Sequence, residues 1–235
     1  GIPILLGIRL PQGLHLITIS GLKVPSVKPQ GNDNWPGMRF SKVDKIYAHD
    51  DQTGPFAKME FDDSQVKNKL ITSWTDKNNN PVNAEIISVN IPLHGKIRIT
   101  YEDLYTRVRK INKVFSFVFP DKKLLTWDIY LEFGNTYKKK IRDSDIPKQF
   151  KSKIQFAPYP KHIWVATMYY EDNKIIDFIY DTTGLERSFF CIAINIFEEK
   201  YKIAFEKLFE LENIQTVIES RLGEKYLKMF KQTFS

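Results

Sequence analysis

The sequence predicts an α+β protein: a mostly antiparallel sheet, one inserted helix at about residues 101–114, and a helical C-terminus packed on one face. Three observations predict it. Short apolar runs alternate with period two between polar turns rich in Pro, Gly, Asn and Asp. One stretch after Thr100 switches to helical spacing. From Asn195 onward, aromatic and aliphatic residues again recur every three or four positions. Numerous short strands argue against alternating βαβ units. At 235 residues and 42% hydrophobic content the chain reads as a single globular domain over 1–235, with a sub-boundary near 145–160.

Taken in order, residues 1–7 are apolar but short. They read equally as an edge strand or as residues left after removal of a leader or tag, since no charged n-region or cleavage site is present. In Leu10–Ser20, Leu14, Leu16 and Thr18 oppose His15, Ile17 and Ile19, which predicts a strand with His15 facing solvent. Val24–Asn34 reads as a loop closed by Trp35-Pro36-Gly37, and Met38–Tyr47 as a strand. His49-Asp50-Asp51 sits in a polar turn before Gly54-Pro55. Phe56–Phe61, Leu70–Trp74 and Ala84–Ile91 read as strands, the last two joined by the Asn-rich turn 76–83.

Lys96–Tyr101 alternates and reads as a strand. Thr100, with Asp103 three residues on, caps a helix carrying Leu104, Val108, Ile111 and Phe115 on one stripe. Phe115–Phe119 and Leu124–Phe133 read as a hairpin, Lys138–Arg142 as a basic loop, and Asp145–Lys153 as a polar link.

His162–Asp181 is the stretch around which the chain is organised. Ile163–Tyr170 is apolar at nearly every position, so both its faces should be covered. Glu171–Lys174 turns the chain, and the return run alternates. Asp177 lies between two isoleucines on its face. It reads as an edge or surface position, as an acid paired with a nearby Lys or Arg, or as a carboxylate held in a partly dry site. Phe189–Ile194 is a further apolar run, and Asn195 with Glu198 resembles a capping pair. Phe197, Tyr201, Phe205 and Leu208 then form a stripe, and a second helix or a bend follows Glu212-Asn213.

The formal charge is +7. Between Lys96 and Lys153 there are 15 basic and 7 acidic residues, a net +8, so the rest of the chain sums to about −1. Residues 33–63 hold 4 basic and 7 acidic residues, a net −3. Charge gathered in one segment points to an anionic partner more than the same excess spread evenly. The binding residues it nominates are Arg98, Arg107, Lys110, Lys113, Lys138, Lys139 and Lys140.

The single cysteine, Cys191, lies in an apolar run and reads as inert core; it excludes an internal disulfide and a cysteine zinc cage. No run approaches the roughly 20 apolar residues of a membrane helix. Walker, GxGxxG, GxSxG and HExxH motifs are all missing from the sequence. His49-Asp50-Asp51 matches a metal cluster only weakly, because further ligands must come from elsewhere, and no metal or cofactor is assigned. The acid and acid-x-Lys pattern of PD-(D/E)xK nucleases has partial matches in Pro120-Asp121 with Asp172-x-Lys174 or Glu198-x-Lys200, none placed mid-strand. Asp128 and Glu132 share a strand face, but nothing singles them out as a glycosidase pair. No catalytic residue is therefore nominated. The leading expectation is a non-catalytic protein acting on another protein, of an accessory or toxin-neutralising kind. The alternative is a nucleic-acid-binding protein, with metal-dependent nuclease activity as its enzymatic form, using the basic 96–153 segment.

Overall fold

The computed structural model describes residues 4–23, 37–39, 43–62, 69–184 and 191–234. It is a mixed α+β structure that divides into two compact units. The first comprises residues 1–28 and 40–94; the second comprises 29–39 and 95–235. The stretch 145–160 lies inside the second unit.

In the first unit, β1 (Ile4–Leu10) and β2 (Gly13–Lys23) form a hairpin. A two-residue strand, β3 (Gly37–Met38), belongs to the second unit. β4 (Lys45–Asp50), β5 (Gly54–Phe61), β6 (Lys69–Thr75) and β7 (Pro81–Asn90) follow. Each strand pairs antiparallel with the next, and β7 returns to β1, closing a six-stranded barrel. Closure removes free edges, and period-two alternation decides what fills the interior. Leu6, Ile8, Ile17, Ile46, Ala48, Met59, Leu70 and Trp74 point inward and are buried. His15 shares the inward side with Ile17. Leu14 and Leu16 stand outside, 75% and 58% exposed, so the expected solvent-facing histidine is corrected. Both sides of β2 carry apolar residues, and barrel closure, not local pattern, chooses between them.

The second unit contains α1 (Tyr101–Phe115), β8 (Leu125–Phe133), α2 (Gly134–Asp143), α3 (Lys148–Phe156), β9 (His162–Tyr170), β10 (Asn173–Asp181), β11 (Cys191–Ile196), α4 (Glu199–Glu210), α5 (Glu212–Leu222) and α6 (Glu224–Phe234). Its sheet runs β11-β10-β9-β8-β3, antiparallel except for β3 beside β8. Alternate residues of β9 enter different cores: Trp164, Ala166 and Met168 one, Ile163 and Val165 the other. Both faces are thus covered. The larger core packs α1, α4, α5 and α6 on one face, centred on Phe115, whose ring meets Phe178, Phe205, Phe209 and Phe230 at 4.7–5.6 Å. The smaller core sets Tyr137 and Ile141 of α2 and Ile154 of α3 on the opposite face.

Thr100 caps α1 reciprocally with Asp103, satisfying two backbone N–H groups. The expected strand at 96–101 is not formed. Only Arg98 and Ile99 donate backbone N–H groups to Thr182 O before the helix begins. The expected hairpin at 115–133 is also replaced: a short 3-10 turn, Ser116–Val118, continues α1, and the strand starts at Leu125. Helices α2 and α3 stand where the sequence reads as a basic loop and a polar link. Asn195 belongs to β11 and does not cap α4. The C-terminal region is three helices, with α5 ending at Gly223, whose φ of 98° suits glycine. The expected loop at 24–34, Trp35-Pro36 and part of the Met38–Tyr47 strand lie outside the described residues. No helix among the described residues is long and apolar enough to cross a membrane.

Candidate functional site

The nominated basic residues separate onto the two faces of the second unit's sheet. Arg98, Arg107 and Lys110 line one open polar cleft of about 470 Å³ beside α1, together with Glu102, Asp103 and Gly184. Lys113 lies half-buried in the last turn of α1. Lys138, Lys139 and Lys140 ride on α2, over the opposite face. Lys138 sits over the Tyr159 ring at 5.6 Å, Lys140 pairs with Glu132, and Lys139 is exposed.

The denser positive surface is the α2–α3 hairpin. Residues 134–161 contain 8 basic and 2 acidic side chains, a net +6, whereas α1 is close to balanced at its N-terminal end through Glu102 and Asp103. Tyr137, Ile141 and Ile154 hold the hairpin on the sheet, so its charged residues line the outer side. Lys151 donates to Arg142 O at 2.9 Å and also to Ser144 O, and Gln155 donates to Lys138 O at 2.8 Å, stitching α3 to α2. Lys139, Lys148, Lys153 and Lys161 remain exposed. Two aromatic rings share this region. Phe156 ends α3 and is 89% exposed; Phe133 is 49% exposed and leans on His162 at 5.0 Å. A ring this exposed at the end of a lysine-rich helix has little packing reason to be there.

Beneath this layer, Asp128, Thr167, Asp177 and Asn195 occupy one cross-strand row. Asp177 is fully buried. Tyr137 Oη donates to it at 2.7 Å, Thr167 Oγ1 at 2.6 Å, and Lys174 Nζ lies 2.6 Å away. Asn195 Nδ2 donates to Tyr137 Oη and Tyr159 Oη, both at 3.0 Å. Burial, then the Asp177 charge, pushes Tyr137 well above the ordinary phenol value and Tyr169 up to about 12. Burial likewise raises Asp128, with Arg39 opposing it. Three donors converge on Asp177, which makes it a core ion pair rather than a carboxylate waiting for substrate.

The remaining candidates are satisfied locally. Asp121 accepts from Lys123 N at 2.9 Å and caps a 3-10 turn. Asp172 pairs with Arg39 at 3.1 Å, and Glu198 with Lys200 at 2.9 Å. Among the described residues, no group of three metal-ligating side chains includes Asp121, Asp172 or Asp177. His49 rests on the Phe56 ring at 5.3 Å, while its neighbours Asp50 and Asp51 turn to His15. Cys191 is buried, and burial pushes its thiol pKa up, as inert core requires.

The chain matches no family model, no curated protein and no solved structure. Phe156 is not among the residues nominated from the sequence, where 156–160 simply leads into the central stretch. Its only advance signal was an aromatic side chain within a run of lysines.

Proposed function

We propose that the second unit binds single-stranded nucleic acid along the outer side of α2–α3. The observation that carries this is the pairing of a net +6 hairpin with Phe156, 89% exposed, at its end. Exposed lysines neutralise phosphates and release counterions, and an exposed ring offers a stacking platform for a base. Protein interfaces are depleted in Lys, so this surface fits a nucleic acid better than a protein. Fluorescence anisotropy with single-stranded oligonucleotides at about 50 and about 200 mM salt tests it. Binding should fall steeply with salt and be lost in K139E/K148E/K153E. Binding unchanged in that variant, or none at the lower salt, sinks the proposal.

A protein partner is the second reading, supported by the barrel. Leu14, Leu16 and Phe56 are 75%, 58% and 68% exposed on its outer surface. Large apolar side chains held in water mark contact surfaces when they gather. Replacing Leu14 and Leu16 by Ser should abolish capture of such a partner without changing oligonucleotide binding.

A further inference from the structure

The first unit carries a group of side chains that neither reading uses. His15 lies on the inward side of β2 and Asp50 at the end of β4, with Asp51 in the turn after it. His15 Nε2 is 3.2 Å from Asp50 Oδ1 and 3.4 Å from Asp51 Oδ1, and the three ligand atoms lie within 4.8 Å of one another. We propose that His15, Asp50 and Asp51 bind a divalent cation of the zinc or manganese class at one end of the barrel, with water completing its coordination.

Three observations carry this beyond a hydrogen-bonded pair. First, the two distances from the imidazole fit. Bonds of about 2.1 Å place neighbouring ligands about 3.0 Å apart in an octahedral site and about 3.4 Å apart in a tetrahedral one, against 3.2 and 3.4 Å here. Second, Nε2 carries at most one hydrogen, yet it faces two carboxylates. Asp51 is 79% exposed, yet its carboxylate turns to the same imidazole nitrogen that Asp50 faces. Two carboxylates and one imidazole match the charge and donor preference of a borderline divalent ion. Third, Trp74 walls the site. Its ring stands perpendicular to His15, with centroids 5.5 Å apart; it is 7% exposed, and Nε1–H has no acceptor among the described residues. Buried donors rarely stay unpaired.

Asp50 is built to stay put. Its side chain is fully buried, Gln52 N donates to Oδ1 at 2.7 Å and Thr53 Oγ1 to Oδ2 at 3.0 Å. These donors fix the carboxylate plane and leave lone pairs for a metal. The first ligand is rigid, His15 is braced by Trp74, and Asp51 is free to close over an arriving ion. Residues 43–62 of this unit hold 2 basic and 5 acidic side chains, a net −3, which favours the cation's approach.

The test titrates the full chain, freed of metal with chelator, with ZnCl₂ or MnCl₂ in a calorimeter, with MgCl₂ as the comparison. Mn²⁺ binding is read independently by electron paramagnetic resonance. One Zn²⁺ or Mn²⁺ per chain is expected. Asp51→Asn should weaken binding about tenfold or more, and His15→Gln should abolish it. Because Asp51 is exposed, D51N tests the proposal even if H15Q does not fold, and circular dichroism checks both. No saturable binding of either ion up to millimolar concentration overturns the site. Binding that D51N leaves unchanged overturns it as well.

Discussion

Lys174 Nζ lies 2.6 Å from Oδ2 of Asp177, a carboxylate with no exposed surface, while the lysine itself keeps about a quarter of its side chain in water. The pair is asymmetric in its exposure. Asp177→Ala strands the ammonium and leaves the Tyr137 and Thr167 hydroxyls without their acceptor. It should destabilise by about 3–5 kcal/mol in urea unfolding. Lys174→Met leaves the fully buried carboxylate with two neutral donors and no counter-charge, and should cost a comparable amount. A loss below about 1 kcal/mol in Lys174→Met would show that the two hydroxyls alone hold the charge.

At Phe156 the expectation is the opposite kind. With 89% of the residue in water, Phe156→Ala should change stability by less than about 0.5 kcal/mol. Oligonucleotide affinity should fall by about 1–3 kcal/mol, the worth of one stacked base. A stability loss without an affinity loss would place the ring in packing.

Gly134 opens α2 where its backbone meets the chain entering β9. A Cβ there would stand 2.4 Å from Pro160 O, a backbone atom that cannot swing aside. Gly134→Ala should therefore destabilise by about 1–3 kcal/mol, measured by chemical denaturation. A neutral result would show that the α2 start shifts freely.

Asp76 controls the acid side of the β6–β7 turn. The backbone N–H groups of Asn80 and Asn78 donate to it at 2.9 and 2.8 Å and hold its carboxyl below the ordinary value. A depressed folded pKa gives stability that is present above the unfolded value of about 3.9 and is lost as pH falls through the folded one. Carboxyl ¹³C titration should show Asp76 protonating below its unfolded value, and D76N should flatten this part of the acid limb. A midpoint at or above the unfolded value refutes the turn's role.

Cys191 should not react with a thiol reagent at pH 8 in the native state and should react fully in urea. It is 1% exposed and burial holds its proton on. Rapid native labelling would show that β11 opens.

The β9–β10 hairpin was legible because a continuous apolar run and an alternating one bracket a polar turn, and local pairing satisfies both. The Thr100–Asp103 cap was legible for the same local reason. His15 was not, since β2 is apolar on both sides and only closure of the barrel decides which is interior. Helices α2 and α3 were hidden by their lysines: Tyr137, Ile141 and Ile154 are too sparse to announce a period. Asn195 has the chemistry of a helix cap but is engaged by Tyr137 and Tyr159 from distant sequence. The candidate surface inherited this limit, as its charge was visible from the sequence while the hairpin that displays it was not.

The ring of Phe115 fixes an order of events during synthesis. Its partners at Phe209, Phe230 and Phe234 leave the ribosome long after it does. The barrel strands find every partner by Asn90. The first unit can therefore complete its pairing while the second is still being translated. The second must hold Phe115 and the inner side of its sheet unburied until α6 emerges, and that interval is when this chain is most open to aggregation or to a chaperone.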